Sequence, residues 1–167
     1  AELIEVDYDP LSAVTTTEAA LRDDGNVVLR WDVGDPTTTD GAFQGAAHTV
    51  KLALQNHRII TNSIEPRGCV GHYDAKGDGY TLHVSGQQVH MGRDTVAATL
   101  GVEADRVRVI APDVGGGFGV KNIPYGEYVL MLWAARVAGC PVKWINERSD
   151  GFISDHQARD HLADAEL

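Results

Sequence analysis

The feature that most constrains this chain is a glycine-rich segment at residues 115–121, with the sequence GGGFGVK. Four of its first five residues are glycine, so the backbone can take positive φ angles and another molecule can approach its N–H groups closely. The apolar, β-branched residues 107–111 predict a strand before it, and residues 128–138 predict a helix after it that ends at Gly139. A bare loop between a strand and a helix often presents amides to an anionic or oxygen-bearing ligand.

Two nucleotide-binding motifs are similar to this segment, and each fails at one position. A dinucleotide pattern G-x-G-x-x-G that starts at Gly115 needs glycine where Val120 stands. A P-loop needs Ser or Thr after the lysine, whereas Asn122 follows Lys121. A tight turn without a ligand is the other interpretation. Phe118 favours a ligand site, because a large apolar ring is unusual in a plain turn and could form the wall of a pocket.

Composition excludes several classes of partner. A length of 167 residues suits one domain with a real core. The net charge of −10 argues against binding to nucleic acid or to an anionic membrane surface. No apolar run approaches the length of a membrane span, and no signal peptide is visible. Because the chain begins with Ala1, we expect it to be processed, trimmed or excised from a longer protein.

The two cysteines, Cys69 and Cys140, are far apart in the sequence. Two buried free thiols in a reducing compartment are the simplest interpretation, and a disulfide or a reactive thiol is the alternative. A zinc site is not expected, because His156 and His161 are five residues apart and no histidine has ligand spacing to a cysteine.

The first part of the chain carries local signals but no sign of chemistry. These signals predict strands at 3–8 and 27–31, a helix at 18–22 capped by Thr17, a linker at 34–41, a short helix at 42–46 capped by Asp40, and an extended run at 48–64. In the extended run, Val50, Leu52 and Leu54 alternate with more polar residues, which predicts one apolar face.

A kink is predicted at Glu65-Pro66-Arg67, because the proline excludes helix at the residue before it. Glu65 and Arg67 can form an ion pair around this kink. The alternative is a surface turn whose charges are both solvated.

A hairpin follows the kink. Residues 70–73 and 80–84 predict its strands, residues 91–100 predict a helix that ends at Gly101, and residues 141–146 predict a further strand. Gln87 lies at the junction between the second hairpin strand and the helix. Its amide side chain can point at a ligand, or it can cap the helix or face solvent.

Taken in order, these segments resemble a known family. The order is Glu65-Pro66-Arg67, Ser85-Gly86-Gln87, Asp113 to Lys121, Tyr125-Gly126-Glu127, Pro141-Val142-Lys143-Trp144 and Glu147-Arg148. It resembles the large, molybdenum-binding subunit of the molybdenum hydroxylases, which include xanthine dehydrogenase, aldehyde oxidase and aerobic carbon monoxide dehydrogenase. No single motif is decisive, but the ordered set is specific and covers nearly the whole chain.

The resemblance implies an α+β fold, with mixed sheets and flanking helices, that is the first part of a molybdenum-cofactor-binding domain. Residues 1–20 would be the end of a preceding domain or a connector. Residues 21–167 would be the N-terminal part of the molybdopterin-binding domain.

The resemblance also implies a role for the glycine loop and Gln87. In the family, the matching glutamine reaches the oxygen ligands of molybdenum, and the backbone matching Phe118 and Gly119 approaches the apical oxygen. The glycines matching Gly116 and Gly117 line the pyranopterin, here molybdopterin cytosine dinucleotide. No residue of this chain is expected to be catalytic or to bind the metal directly, so these five residues are the predicted cofactor-binding set.

The family reaction hydroxylates a carbon of a small substrate with oxygen from water, and electrons leave through iron–sulfur and FAD subunits or domains. Asn122 stands where purine-oxidising members carry glutamate, which favours the carbon monoxide or aldehyde-type branch. The family's general base lies beyond residue 167, so these residues alone are expected to be inactive and without cofactor. We expect a cytoplasmic protein. A non-catalytic binding or assembly module and a nucleotide-binding domain are the alternatives.

Overall fold

A computed structural model of the chain describes residues 3–22 and 27–167. They belong to two compact units, one of residues 1–57 with 160–167 and one of residues 58–159. The helices are α1 (Thr17–Arg22), α2 (Pro36–Gly45), α3 (Val89–Leu100), α4 (Gly126–Ala138) and α5 (Arg148–Ser154). The strands are β1 (Lys51–Asn56), β2 (Ile59–Ile60), β3 (Gly68–Asp74), β4 (Gly79–Val84), β5 (Val107–Ile110), β6 (Val142–Ile145), β7 (Gln157–Ala158) and β8 (His161–Glu166).

The first unit holds α1, α2 and an antiparallel pair of β1 with β8, in register from Lys51 opposite Glu166 to Asn56 opposite His161. The helix predicted at residues 18–22 is confirmed as α1, but the predicted cap is wrong: Thr17 is the first helical residue, and the Ala19 amide donates to Thr16 Oγ1 at 3.2 Å. The residues predicted to stop the helix, at 24–25, lie outside the described part. The extended run is confirmed as β1 and β2. Its expected apolar face is not buried, since Val50, Leu52 and Leu54 are each about half exposed or more.

The predicted linker at residues 34–41 is wrong, because this stretch forms most of α2. Asp35 is the N-cap and accepts a hydrogen bond from the Thr37 amide at 3.0 Å, and Pro36 is the first helical residue. Asp and Pro are also common in turns, but in this order they begin a helix. The short helix predicted from an Asp40 cap is therefore the second half of α2.

The strands predicted at residues 3–8 and 27–31 are also wrong. Both stretches lack regular structure, and Leu3 and Val28 are each 99% exposed. A short alternating sequence forms a strand only when a neighbouring strand supplies hydrogen bonds, and none of the described strands pairs with either stretch.

The second unit contains a four-stranded sheet in the order β5-β4-β3-β6. β3 is antiparallel to β4 and to β6, whereas β4 is parallel to β5, so the sheet is mixed. The predicted hairpin, the two helices after it and the two further strands are confirmed, and α3 and α4 end at Gly101 and Gly139 in left-handed conformation. With its flanking helices, this sheet confirms the α+β fold.

The parallel pair decides where the loops meet. β4 and β5 run in the same direction, with His83 opposite Ile110, so their carboxyl ends lie at the same edge of the sheet. Gln87 follows β4, and the glycine loop follows β5. The crossover from β4 to β5 runs through α3, as a parallel connection requires.

The core lies between this sheet and the two long helices. Leu82 in β4, Val96 in α3 and Leu132 in α4 are at most 1% exposed. β3 contributes a glycine at the point where α4 crosses it. A Cβ added to Gly71 would lie 2.5 Å from the carbonyl oxygen of Met131, so helix and strand touch through their backbones.

We therefore expect Gly71→Ala to lower the free energy of unfolding by about 1–3 kcal/mol, because the methyl group would have to displace the α4 backbone. Gly126→Ala is the matched control, since nothing lies within 4 Å of its added Cβ at the exposed start of α4. Denaturant unfolding of the two variants measures the difference. Equal stabilities would show that the contact between β3 and α4 is not tight.

Candidate functional site

The glycine loop has the conformation that its composition predicts. Gly116 and Gly119 have φ angles of 100° and 96°, which confirms the expected positive φ. Phe118 also has a positive φ, 51°, which is uncommon for a bulky residue. Its ring packs over Gly116 and is 76% exposed, so within the described residues it does not form the wall of an enclosed cavity.

Gln87 lies against this loop, as the prediction of one shared site requires. The Gly119 amide donates to Gln87 Oε1 at 2.9 Å, and the Lys121 amide donates to the same oxygen at 3.3 Å. Two backbone donors fix which end of the side-chain amide is the oxygen. The Nε2 group, a donor with two hydrogens, is therefore the end left for a ligand.

Gly117 is buried directly beneath this side chain. A Cβ at this position would lie 2.5 Å from Gln87 Oε1 and closer still to Cδ. Gly117 therefore has to be a glycine so that Gln87 can lie flat against the loop.

The loop amides divide into two groups. In the first group, the Gly115 amide donates to Glu65 and the Gly119 amide donates to Gln87. The Gly119 amide, expected to approach a ligand, is thus engaged by a side chain of the chain itself. The second group is the amides of three successive residues, Gly116, Gly117 and Phe118. They donate to no acceptor within residues 3–22 and 27–167. These amides and Gln87 Nε2 are thus not used by the described residues, and donors of this kind suit an oxygen-rich or anionic group.

A second carboxylate-centred cluster lies at the ends of the loop. Glu65 Oε2 accepts hydrogen bonds from the Gly115 amide at 2.7 Å, from Ser85 Oγ at 2.6 Å and from Lys121 Nζ at 3.0 Å. Burial raises the pKa of Glu65, but the three hydrogen bonds and the ammonium charge lower it by more, so its pKa lies below the ordinary value. The Lys121 ammonium is completely buried, and Ser85 Oγ is its other partner at 2.6 Å.

The ion pair predicted between Glu65 and Arg67 is wrong, and so is the alternative of two solvated charges. Arg67 is 1% exposed and points to the other side of the kink, where it pairs with Asp155 at 2.6 Å and Glu127 at 3.4 Å. Residues two apart in regular extended backbone would share one side, but the chain bends at Ile64 and Glu65, and the two charges are separated.

Tyr125 connects the Arg67 cluster to the loop. Its ring centre lies 3.6 Å from the Arg67 guanidinium carbon, and its hydroxyl donates to the Val120 carbonyl at 2.8 Å. The roles of Lys121, Tyr125 and Asp155 were not predicted from the sequence. The signal for Lys121 was its place directly after the loop, whereas nothing in the sequence links Asp155 to Arg67.

The cysteines are both free. Cys69 is buried, as expected, and burial raises the pKa of its thiol to about 12, so it is protonated and unreactive near neutral pH. Cys140 is exposed, so the expectation that both thiols are buried is wrong for this residue.

The described residues contain neither a metal-ion cluster nor a helix that could span a membrane. Within residues 3–22 and 27–167, no group of three or more His, Cys, Asp or Glu side chains is placed to hold a metal ion. In the same ranges, every helix is too short or too polar to cross a membrane.

Comparison with known proteins identifies the family. Residues 21–167 match the family model of the molybdopterin cofactor-binding domain. The chain belongs to this family. It is 32% identical to the carbon monoxide dehydrogenase large chain of Hydrogenophaga pseudoflava over 99% of its length, and 32% identical to the nicotine 6-hydroxylase large subunit of Paenarthrobacter nicotinovorans over 96%.

Solved structures agree with this assignment. The chain matches reconstituted CO dehydrogenase from Oligotropha carboxidovorans with a TM-score of 0.88 and 32% identity, over 99% of this chain and 23% of that one. The present chain spans only 23% of the length of the carbon monoxide dehydrogenase large chain and 20% of the length of the nicotine 6-hydroxylase large subunit. The relatives are molybdenum oxidoreductases, and the match to their large chains confirms the resemblance found in the sequence.

Gly117→Ala tests whether Gln87 and the loop fit together as closely as described. The methyl group would overlap Gln87, so we expect loss of the hydrogen bonds to Gly119 and Lys121 and a destabilisation of about 1–3 kcal/mol. Shifts of the Gln87 side-chain amide signals in NMR spectra, together with thermal unfolding, measure both effects.

Gly86→Ala is the control, because its added Cβ would meet other atoms only at 3.4 Å or more. Unchanged Gln87 signals in Gly117→Ala would contradict the described packing.

Proposed function

We propose that the five residues Gln87, Gly116, Gly117, Phe118 and Gly119 form one wall of the binding site for a molybdenum-pyranopterin cofactor, in its cytosine dinucleotide form. In this proposal, residues 21–167 are the N-terminal part of the cofactor-binding domain, and residues 1–20 are a connector or the end of a preceding domain. The observation that carries the proposal is the group of free donors, Gln87 Nε2 and three successive loop amides, in a chain of this family.

The donor set fits such a group chemically. Pyranopterin cofactors carry phosphate and oxygen atoms, and a backbone without side chains lets N–H groups approach them closely. Because Oε1 of Gln87 is held by Gly119 and Lys121, its Nε2 is oriented before any ligand binds. Donors that are fixed in advance need no reorganisation during a reaction, which is where such groups contribute most.

When bound, the cofactor would supply oxidation of a substrate carbon with oxygen from water. The residues described here would orient it and would not move protons. Glu65 is held by three donors and Glu127 is paired with Arg67, so neither is a free base. This supports the assignment of no catalytic residue within the chain.

For the natural protein we propose a hydroxylase or dehydrogenase of the carbon monoxide or aldehyde type, acting on a small molecule with iron–sulfur and FAD partners in the cytoplasm. Support comes from Asn122 after the loop lysine, and from relatives that are named as large chains or large subunits. Two free thiols are ordinary in a reducing compartment.

The variants Gln87→Glu and Gln87→Leu distinguish the role of the Oε1 acceptor of Gln87 from that of its Nε2 donor. Gln87→Glu keeps an oxygen for Gly119 and Lys121 but removes the Nε2 donor, so we expect near-normal stability and turnover reduced on the order of 100-fold. Gln87→Leu removes both ends and should also lose about 1–2 kcal/mol of stability. The natural polypeptide, made with its partner subunits in a host that synthesises the cofactor, is assayed with carbon monoxide and aldehydes.

Gln88→Leu is the matched control, because Gln88 is the exposed neighbour and its side chain makes no capping hydrogen bond. It should keep wild-type turnover and molybdenum content. Full activity in Gln87→Glu would refute the role of the donor. A wild-type protein that folds and binds its partners but holds no molybdenum would instead favour a non-catalytic assembly module.

A further inference from the structure

The glycine loop is fastened at both of its ends by one carboxylate. Glu65 Oε2 takes the Gly115 amide at the start of the loop and the Lys121 ammonium at its end. The backbone of Glu65 adds a further contact, since its amide donates to the Gly115 carbonyl at 3.1 Å. We infer that Glu65 is a positioning residue that holds the loop in the shape in which its free amides can receive a ligand.

The first glycine of the loop supports this assignment. A Cβ on Gly115 would lie 2.5 Å from the Cβ of Glu65. Gly115 is therefore required by its contact with Glu65 and not by a ligand, since its amide is already occupied. This separates Gly115 from Gly116 and Gly117, whose amides make no such bond within the described ranges.

The backbone around Glu65 is itself held by hydrogen bonds from other side chains. The Arg148 guanidinium donates to the carbonyls of Ser63 at 2.9 Å and Ile64 at 2.6 Å. Ser63 Oγ donates to the Glu65 carbonyl at 2.8 Å, and Pro66 restricts the backbone on the other side. A carboxylate on a braced segment can fix a loop, whereas one on a mobile segment would follow it.

Glu65 also neutralises the buried ammonium of Lys121, so its removal has two effects that have to be separated. Glu65→Ala leaves that charge without a counter-charge and destabilises the fold. Glu65→Ala with Lys121→Met removes the charge as well, so its thermal stability should recover relative to Glu65→Ala. If Glu65 positions the loop, the loop should remain loose in the double variant.

The first measurement needs no cofactor. In the natural polypeptide made without cofactor synthesis, hydrogen exchange at Gly115 should be about tenfold faster in Glu65→Ala and in the double variant than in wild type, the change expected for loss of one hydrogen bond to a charged group. Glu65→Gln keeps one acceptor oxygen and should retain part of the protection. Glu103→Ala, an exposed carboxylate whose side chain caps nothing, should exchange like wild type.

The second measurement rests on the proposed function. In a host that makes the cofactor, the double variant should be purified with several-fold less molybdenum and pterin than wild type, while Glu103→Ala keeps both. Wild-type exchange and cofactor content in the double variant would overturn the inference and leave Glu65 as a counter-ion only. Faster Gly115 exchange in the variants, with no molybdenum in wild type, would support the positioning of the loop and overturn the proposed function.

Discussion

The buried guanidinium of Arg67 is the constraint on which the second unit depends. A charge that is 1% exposed is tolerated only if opposite charges and hydrogen bonds replace water. Burial lowers the pKa of Arg67, but Asp155 and Glu127 raise it by more, so the group stays ionised. Its partners belong to different elements: Glu127 to α4 and Asp155 to the end of α5, while the ring of Trp144 in β6 lies 5.2 Å away. Loss of one charged partner typically costs about 3–5 kcal/mol.

The glycine loop is held between this cluster and a second one. Tyr125 packs on Arg67 and donates to the carbonyl of Val120, while Glu65 binds Gly115 and Lys121. Glycine has more conformational freedom to lose than any other residue. Contacts at the ends of the loop, together with the hydrogen bond from Gly119 to Gln87, therefore offset part of the cost of holding so glycine-rich a segment in one shape. The same arrangement leaves the middle of the loop with amides that are not used by the described residues.

In the proposed function, the wall formed in this way would serve binding and not proton transfer. Its donors are neutral amides, and the two nearby glutamates, Glu65 and Glu127, are committed to Lys121 and Arg67. The chain spans about a quarter or less of the length of the relatives it matches. In the proposed function, chemistry that needs a base would be supplied by other parts of the natural polypeptide.

The sequence by itself determined the four strands of the sheet, helices α3 and α4 and the place of the loop, but it did not predict α5 or β7. Alternation in the hairpin, glycine at the ends of α3 and α4, and the glycine run after β5 are short-range signals, and each predicted its element correctly. Residues 3–8 and 27–31 show the limit of such signals, because a strand needs a partner that the local pattern does not reveal. The order of motifs also identified the family.

Only the tertiary structure decided how the charges pair. Glu65 and Arg67 are two residues apart and of opposite sign, so their sequence suggests an ion pair. The bend at Ile64 and Glu65 instead separates them, and each pairs with a residue that is distant in sequence, Lys121 for Glu65 and Asp155 for Arg67. Pairing across such distances depends on how sheet and helices pack. That packing, and not any local pattern, sets which amides of the loop remain free.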